Sequence, residues 1–164
     1  MRRFLSSERR LRRKGIAGFF TFVACVAWLA PVASADQVYH SEHLALTPVG
    51  SAPLRSGFVE NIKADGPIVY AHEVFVVNGA SPGTSYTITR NFFYLQPDCS
   101  GNGPVFTEQV AVLDTNAAGN AQADVVVRPA DVAGAEGVSG VYWSVIDQSG
   151  TVVYQTACTV VTLD

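Results

Sequence analysis

Positive charge is scarce once the first fourteen residues are passed. From Asp36 to Asp164 the only basic residues are Arg55, Lys63, Arg90 and Arg128, against thirteen acidic ones, a net charge of −9. Phosphate backbones and anionic lipid surfaces are held chiefly through Lys and Arg, so neither nucleic acid nor a membrane surface is an expected partner of this stretch. Long apolar runs are missing too. The most apolar segment, Ile16 to Leu29, has fourteen residues, short of the roughly 20 that span a bilayer as a helix. Helical periodicity is nearly absent after residue 36. Cysteine is limited to Cys25, Cys99 and Cys158.

What is present at the start of the chain reads as an export signal. Arg2, Arg3, Arg9, Arg10, Arg12, Arg13 and Lys14 oppose one acid, Glu8; the apolar run follows, and Ala33-Ser34-Ala35 has the small-x-small pattern of a cleavage site. We read residues 1–35 as a signal peptide and 36–164 as one domain that is secreted or held at the cell envelope, with no membrane insertion after cleavage. A membrane anchor and lipidation at Cys25 are the competing readings. The remaining 129 residues suffice for a single core that hides about two thirds of the chain's surface. In an oxidising compartment Cys99 and Cys158 are expected to pair. Closing a loop of that length restricts the unfolded chain by about 4 kcal/mol in the entropy model.

Runs of β-branched and aromatic residues recur about every ten positions between Gly, Pro, Asn, Asp and Ser clusters, the rhythm of an antiparallel β-sandwich. Strands are predicted near 38–46, 57–63, 68–77, 85–95, 105–113, 121–128, 138–147 and 151–162, giving seven or eight. Asn78-Gly79 with Pro82-Gly83, Asn116 to Asn120, and Gln148-Ser149-Gly150 are predicted to close three successive hairpins. Pro129 to Gly134 suits one helical turn. Alternation places Tyr86 and Ile88, Val125 and Val127, and Val141, Trp143 and Val145 inward, with Thr87 and Thr89 outward. The 68–77 strand is apolar on both faces, so it is predicted to be central or covered.

The stretches Ser56-Gly57-Phe58-Val59, Val77-Asn78-Gly79-Ala80-Ser81-Pro82, Thr115 to Ala121 and Cys158 to Leu163 resemble those of a group of small exported bacterial proteins with no assigned activity. That resemblance implies an immunoglobulin-like or fibronectin-type sandwich. It carries fold information and no chemistry. With Cys99 in the Pro97 to Pro104 loop, the bridge is expected to tie a loop to the final strand.

Candidate chemistry is sparse. His40 and His43 flank Glu42, and His72-Glu73 lies elsewhere, so a copper or zinc site is the sharpest chemical reading; two strand histidines three apart face opposite ways, which argues for hydrogen-bonded or exposed side chains instead. His72-Glu73 lacks the second histidine of a zinc-protease helix. Asp114 to Gly119 imitates a calcium loop but has Ala118 and Val125 where oxygen ligands are needed. Phe92-Phe93-Tyr94 is the feature most suited to a partner surface, against burial on both sides of a central strand. Arg90, opposite Glu73, reads as a rim ion pair. The expected function is non-catalytic binding of an unidentified protein or cell-surface component, with no cofactor. A small metal-binding protein or hydrolase using His40, His43 and His72, and a secreted hydrolase inhibitor, are the alternatives.

Overall fold

Strand alternation gives each ribbon one apolar face, and two sheets bury those faces against each other. The computed structural model describes residues 40–63, 71–104, 106–131 and 137–163, all within the unit Ser34–Asp164; the predicted signal peptide lies outside them. The strands are β1 (His40–Ala45), β2 (Thr47–Pro48), β3 (Ser56–Lys63), β4 (Ala71–Asn78), β5 (Ser85–Phe93), β6 (Phe106–Asp114), β7 (Ala121–Val127), β8 (Gly137–Ile146), β9 (Val152–Gln155) and β10 (Thr159–Leu163). One sheet runs β1-β3-β4-β7, the other β2-β9-β8-β5-β6 with β10 also on β8. Every pairing is antiparallel.

The core is shared. Val59, Phe75 and Val77 of the first sheet pack with Ile88, Leu113, Trp143, Val145 and Tyr154 of the second. On β4 the odd residues are buried and the even ones half-buried, which agrees with its central place between β3 and β7. Tyr86, Ile88, Val127, Val141, Trp143 and Val145 are buried as predicted. Thr89, on the outer side, is buried as well, against the expectation of a solvated position.

Among the described residues ten strands replace the seven or eight predicted, for two local reasons. Buried Leu46 draws the chain from one sheet to the other: its amide bonds Gly57 O at 2.8 Å, and three residues on Val49 N bonds Val153 O at 2.8 Å. The predicted first strand is thereby cut into β1 and β2. The predicted last strand is broken at 156–158, where three residues face two on β8. There Thr156 N donates to Trp143 O at 3.0 Å and Thr156 Oγ1 accepts from Trp143 N at 3.0 Å, so a side chain completes the ladder.

Two of the three predicted hairpins are arches between sheets. The turn after β4 leads to β5 and the turn after β6 leads to β7, each changing sheet; of the three, only 147–151 closes a hairpin, between β8 and β9. Turn residues reverse a chain without deciding whether the next strand pairs or crosses. Here the two arches bond to each other: Ala80 N to Gly119 O at 3.0 Å, Thr115 N to Thr84 O at 3.0 Å, and Thr115 Oγ1 to Ser81 O at 2.7 Å. A Cβ on Gly119 would collide with the Ala80 carbonyl, so this contact needs glycine in both shape and φ of +73°. Pro129–Asp131 forms one 3-10 turn.

Candidate functional site

Inward positions on strands take whatever residue the sequence puts there, and at one end of the sandwich four of them are polar or amphipathic. Asn61 of β3, Glu73 of β4 and Arg90 of β5 are buried beside the Trp143 indole of β8. Arg90 Nη1 donates to Glu73 Oε1 at 2.9 Å, and Trp143 Nε1 donates to Glu73 Oε2 at 3.2 Å across the sheets. Arg90 Nη2 reaches Glu108 Oε2 at 2.7 Å, its cross-strand neighbour on β6. The predicted Arg90–Glu73 pair is therefore real but lies in the core, not at the rim; only Glu108 is partly exposed.

Burial pushes the Glu73 carboxyl above its ordinary value, against the pull of Arg90 and the Trp143 hydrogen bond. Burial also acts to lower Arg90, but two carboxylates outweigh it and hold the guanidinium above its ordinary value. The asymmetry follows from number: the cation has two anionic partners and Glu73 has one cation.

Asn61 is the unusual member. It is 2% exposed, and its Oδ1 has no hydrogen-bond partner. A buried acceptor left unpaired costs about 1–3 kcal/mol. It borders a cavity of about 50 Å³ between the sheets, lined also by Lys63, Glu73, Arg90, Phe92 and Val161.

His43 and His72 lie apart from this cluster, on the outer face of the first sheet. His43 Nδ1 is 2.8 Å from Glu60 Oε2 on the outer face of the first sheet, and the ring stacks on Phe58 with centroids 4.3 Å apart. Ser41 donates to the same carboxylate, and these two bonds hold Glu60 below its ordinary value. His72 Nε2 lies 3.4 Å from Asp124 Oδ2. His40 pairs with Lys63 by backbone register. No three metal-ligating side chains come together among the described residues. Asn116 Oδ1 accepts from Ala118 N at 2.8 Å and Asn120 N at 3.1 Å, so that side-chain oxygen is spent on its own turn.

Phe92 faces the core and Phe93 the outer side, where it packs on Tyr142 with centroids 5.7 Å apart. Burial on both sides therefore holds for these two, and of the three aromatics only Tyr94 is exposed, at 36%. Beside it Leu95 is 59% exposed, and Phe106, across from Phe92, is 52% exposed. The loop they begin is tightly held. Gln96 N bonds Phe93 O at 3.1 Å and Cys99 N bonds Gln96 O at 3.1 Å, two successive turns. Leu95 N bonds the buried Ser139 Oγ at 3.1 Å. Asp98 Oδ1 takes Ser100 Oγ at 2.6 Å and Ser100 N at 3.1 Å, which keeps its carboxyl below the ordinary value.

Cys99 is bonded to Cys158 as predicted, Cα atoms 6.0 Å apart, but Cys158 lies in the 156–158 break between β9 and β10 and not in the final strand as expected. Gly140 makes this possible: a Cβ there would sit 2.5 Å from Gln96 O and 2.8 Å from Cys99 Sγ. Leu95 and Cys99 have φ of 55° and 52°, the only described non-glycine residues with positive φ. Such conformations cost about 1–3 kcal/mol each and persist where surroundings over-determine them. No helix among the described residues is long and apolar enough to cross a membrane. No protein-family model, no curated protein and no solved structure matches the chain.

Proposed function

We propose that the protein is exported and acts by binding, without catalysis, presenting the stapled 94–104 loop and its neighbour Phe106 to a protein or cell-surface partner. The observation that carries this reading is the combination of strain and exposure at Leu95. A branched-chain residue in the left-handed region, pinned through its amide by Ser139 and held 59% exposed, is costly for folding and suited to contact. Tyr94 adds a rigid amphipathic anchor of the type that dominates binding energy. A preordered loop loses little entropy on docking. The disulfide and the signal-like leader together support export. We also read the sandwich as immunoglobulin-like. In support, β9-β8-β5-β6 has the order of a G-F-C-C′ sheet, with β4 and β7 standing as B and E opposite it.

The test is affinity for the native partner, captured with the processed protein and measured against Tyr94→Ala/Leu95→Asp. The double variant is expected to lose at least 100-fold, about 2.7 kcal/mol, with an unchanged far-UV spectrum and melting temperature. Equal affinity of the two proteins rejects the loop as the contact surface.

A further inference from the structure

We infer that Asn102 in the stapled loop is a site of spontaneous deamidation, cyclising onto the backbone nitrogen of Gly103 and ending as a mixture of aspartyl and isoaspartyl residues. Of the six asparagines in the chain, Asn61, Asn91, Asn116 and Asn120 precede Ile, Phe, Ala and Ala. A Cβ on the following residue crowds the approach of its nitrogen to the asparagine side chain, which leaves Asn78 and Asn102, each followed by glycine, as the two favoured positions. The fold separates them. Gly79 N donates to Asn120 Oδ1 at 3.1 Å, Asn78 Nδ2 to Ser56 Oγ at 3.3 Å, and Asn78 O accepts from Arg55 N at 2.9 Å. Cyclisation there must first break these bonds and part Gly79 from Arg55, whose Cβ would lie 2.8 Å from a Cβ on the glycine. Asn102 and Gly103 are exposed. Among the described residues neither the Asn102 side-chain amide nor Gly103 N has a hydrogen-bond partner, and a Cβ on Gly103 would meet nothing within 4 Å.

The chemistry balances with water alone. Gly103 N–H gives its proton to hydroxide, the nitrogen attacks Asn102 Cγ, and the Cγ–Nδ2 bond breaks, Nδ2 taking a proton from water and leaving as ammonia. Water then opens the cyclic imide. Cleavage between Cγ and the Gly103 nitrogen leaves an aspartyl residue on the original backbone. Cleavage at the main-chain carbonyl leaves an isoaspartyl residue, whose backbone runs through Cβ and Cγ and is one carbon longer. Either product adds a negative charge to the loop, and nothing is oxidised or reduced. The reaction needs no partner, so its absence would leave the contact proposed for Leu95 untouched.

Full-length protein with its disulfide intact is incubated at neutral and at mildly alkaline pH and digested in acid. The peptides carrying Asn78 and Asn102 are then followed by mass spectrometry, with electron-transfer fragmentation separating isoaspartyl from aspartyl. Asn102 is expected to convert at least 10-fold faster than Asn78, the factor that about 1.4 kcal/mol of local opening at Asn78 imposes. Both products are expected, and the rate is expected to rise with pH because the attacking nitrogen must lose its proton. In urea, where neither site is held by the fold, the two rates are expected to converge. Asn102→Gln, whose longer side chain closes a larger ring more slowly, is expected to suppress conversion at that position with an unchanged far-UV spectrum. Equal rates at the two sites in the folded protein, an aspartyl product alone, a rate unmoved by pH, or an undiminished gap in urea overturns the proposal.

Discussion

Arg90 is held between Glu73 and Glu108, 2.9 Å from one carboxylate and 2.7 Å from the other, with only the second partner reaching solvent. The two contacts differ in worth. Breaking a buried pair strands an uncompensated charge and costs about 3–5 kcal/mol, whereas a partly exposed pair is worth about 0–1 kcal/mol. Arg90→Met is therefore expected to lower the urea-unfolding free energy by several kcal/mol and Glu108→Gln by less than about 1 kcal/mol. Equal losses would contradict the placement of Glu73 in the core.

The same carboxyl has a pH signature. Because burial raises the folded-state pKa of Glu73 above 4.5, the native state binds the proton more tightly than the unfolded chain. Its contribution is complete below pH 4.5 and is lost as pH rises through the folded value. The stability of wild type relative to Glu73→Gln is thus expected to fall between pH 4 and neutrality, read from urea midpoints at each pH. A difference that grows with pH reverses the sign.

Asp147 works the other way. Its Oδ1 accepts from Ser149 Oγ at 2.6 Å, Ser149 N at 2.9 Å and Thr151 N at 3.0 Å, which lowers its pKa below 3.8. That support is present above pH 3.8 and lost as pH falls through the folded value. Asp147→Asn is expected to show a shallower loss of stability on acidification than wild type. Parallel acid curves would show that the turn carboxylate does not contribute.

Much of this was legible from residue types. Alternation identified Tyr86, Ile88, Val141, Trp143 and Val145 as inward, and counting cysteines identified the Cys99–Cys158 bridge. The Arg90–Glu73 pair was legible, but its burial with Asn61 against Trp143 was not. The same period of two that buries Val59 also buries Asn61, and the one that buries Phe75 also buries Glu73, so parity applied to polar positions places both in the core. The arches were not legible at all. Asn116 and Gly119 supply a reversal, and only the contact of that turn with Ala80 and Thr84, distant in sequence, sends β7 to the other sheet.

The staple is expected to matter to stability and to binding together. Cys158→Ser frees a loop closed over 59 residues, which costs up to about 4 kcal/mol, and it releases the strained 94–104 segment. Gly140→Ala separates the two effects, since its Cβ strikes Gln96 and Cys99 while leaving the bridge chemically intact. It is expected to weaken partner binding at least 10-fold at a cost of about 1–3 kcal/mol. Undiminished binding by Gly140→Ala would show that the loop's position is irrelevant.

Contact itself is the most direct test of the account. A photo-activated cross-linker is placed at position 95 in the stapled loop and, separately, at exposed position 118 in the arches at the opposite end. Irradiation with the partner is expected to give a discrete adduct from position 95 and none from position 118. An adduct from position 118 alone, or from both equally, would contradict the assignment of the binding surface.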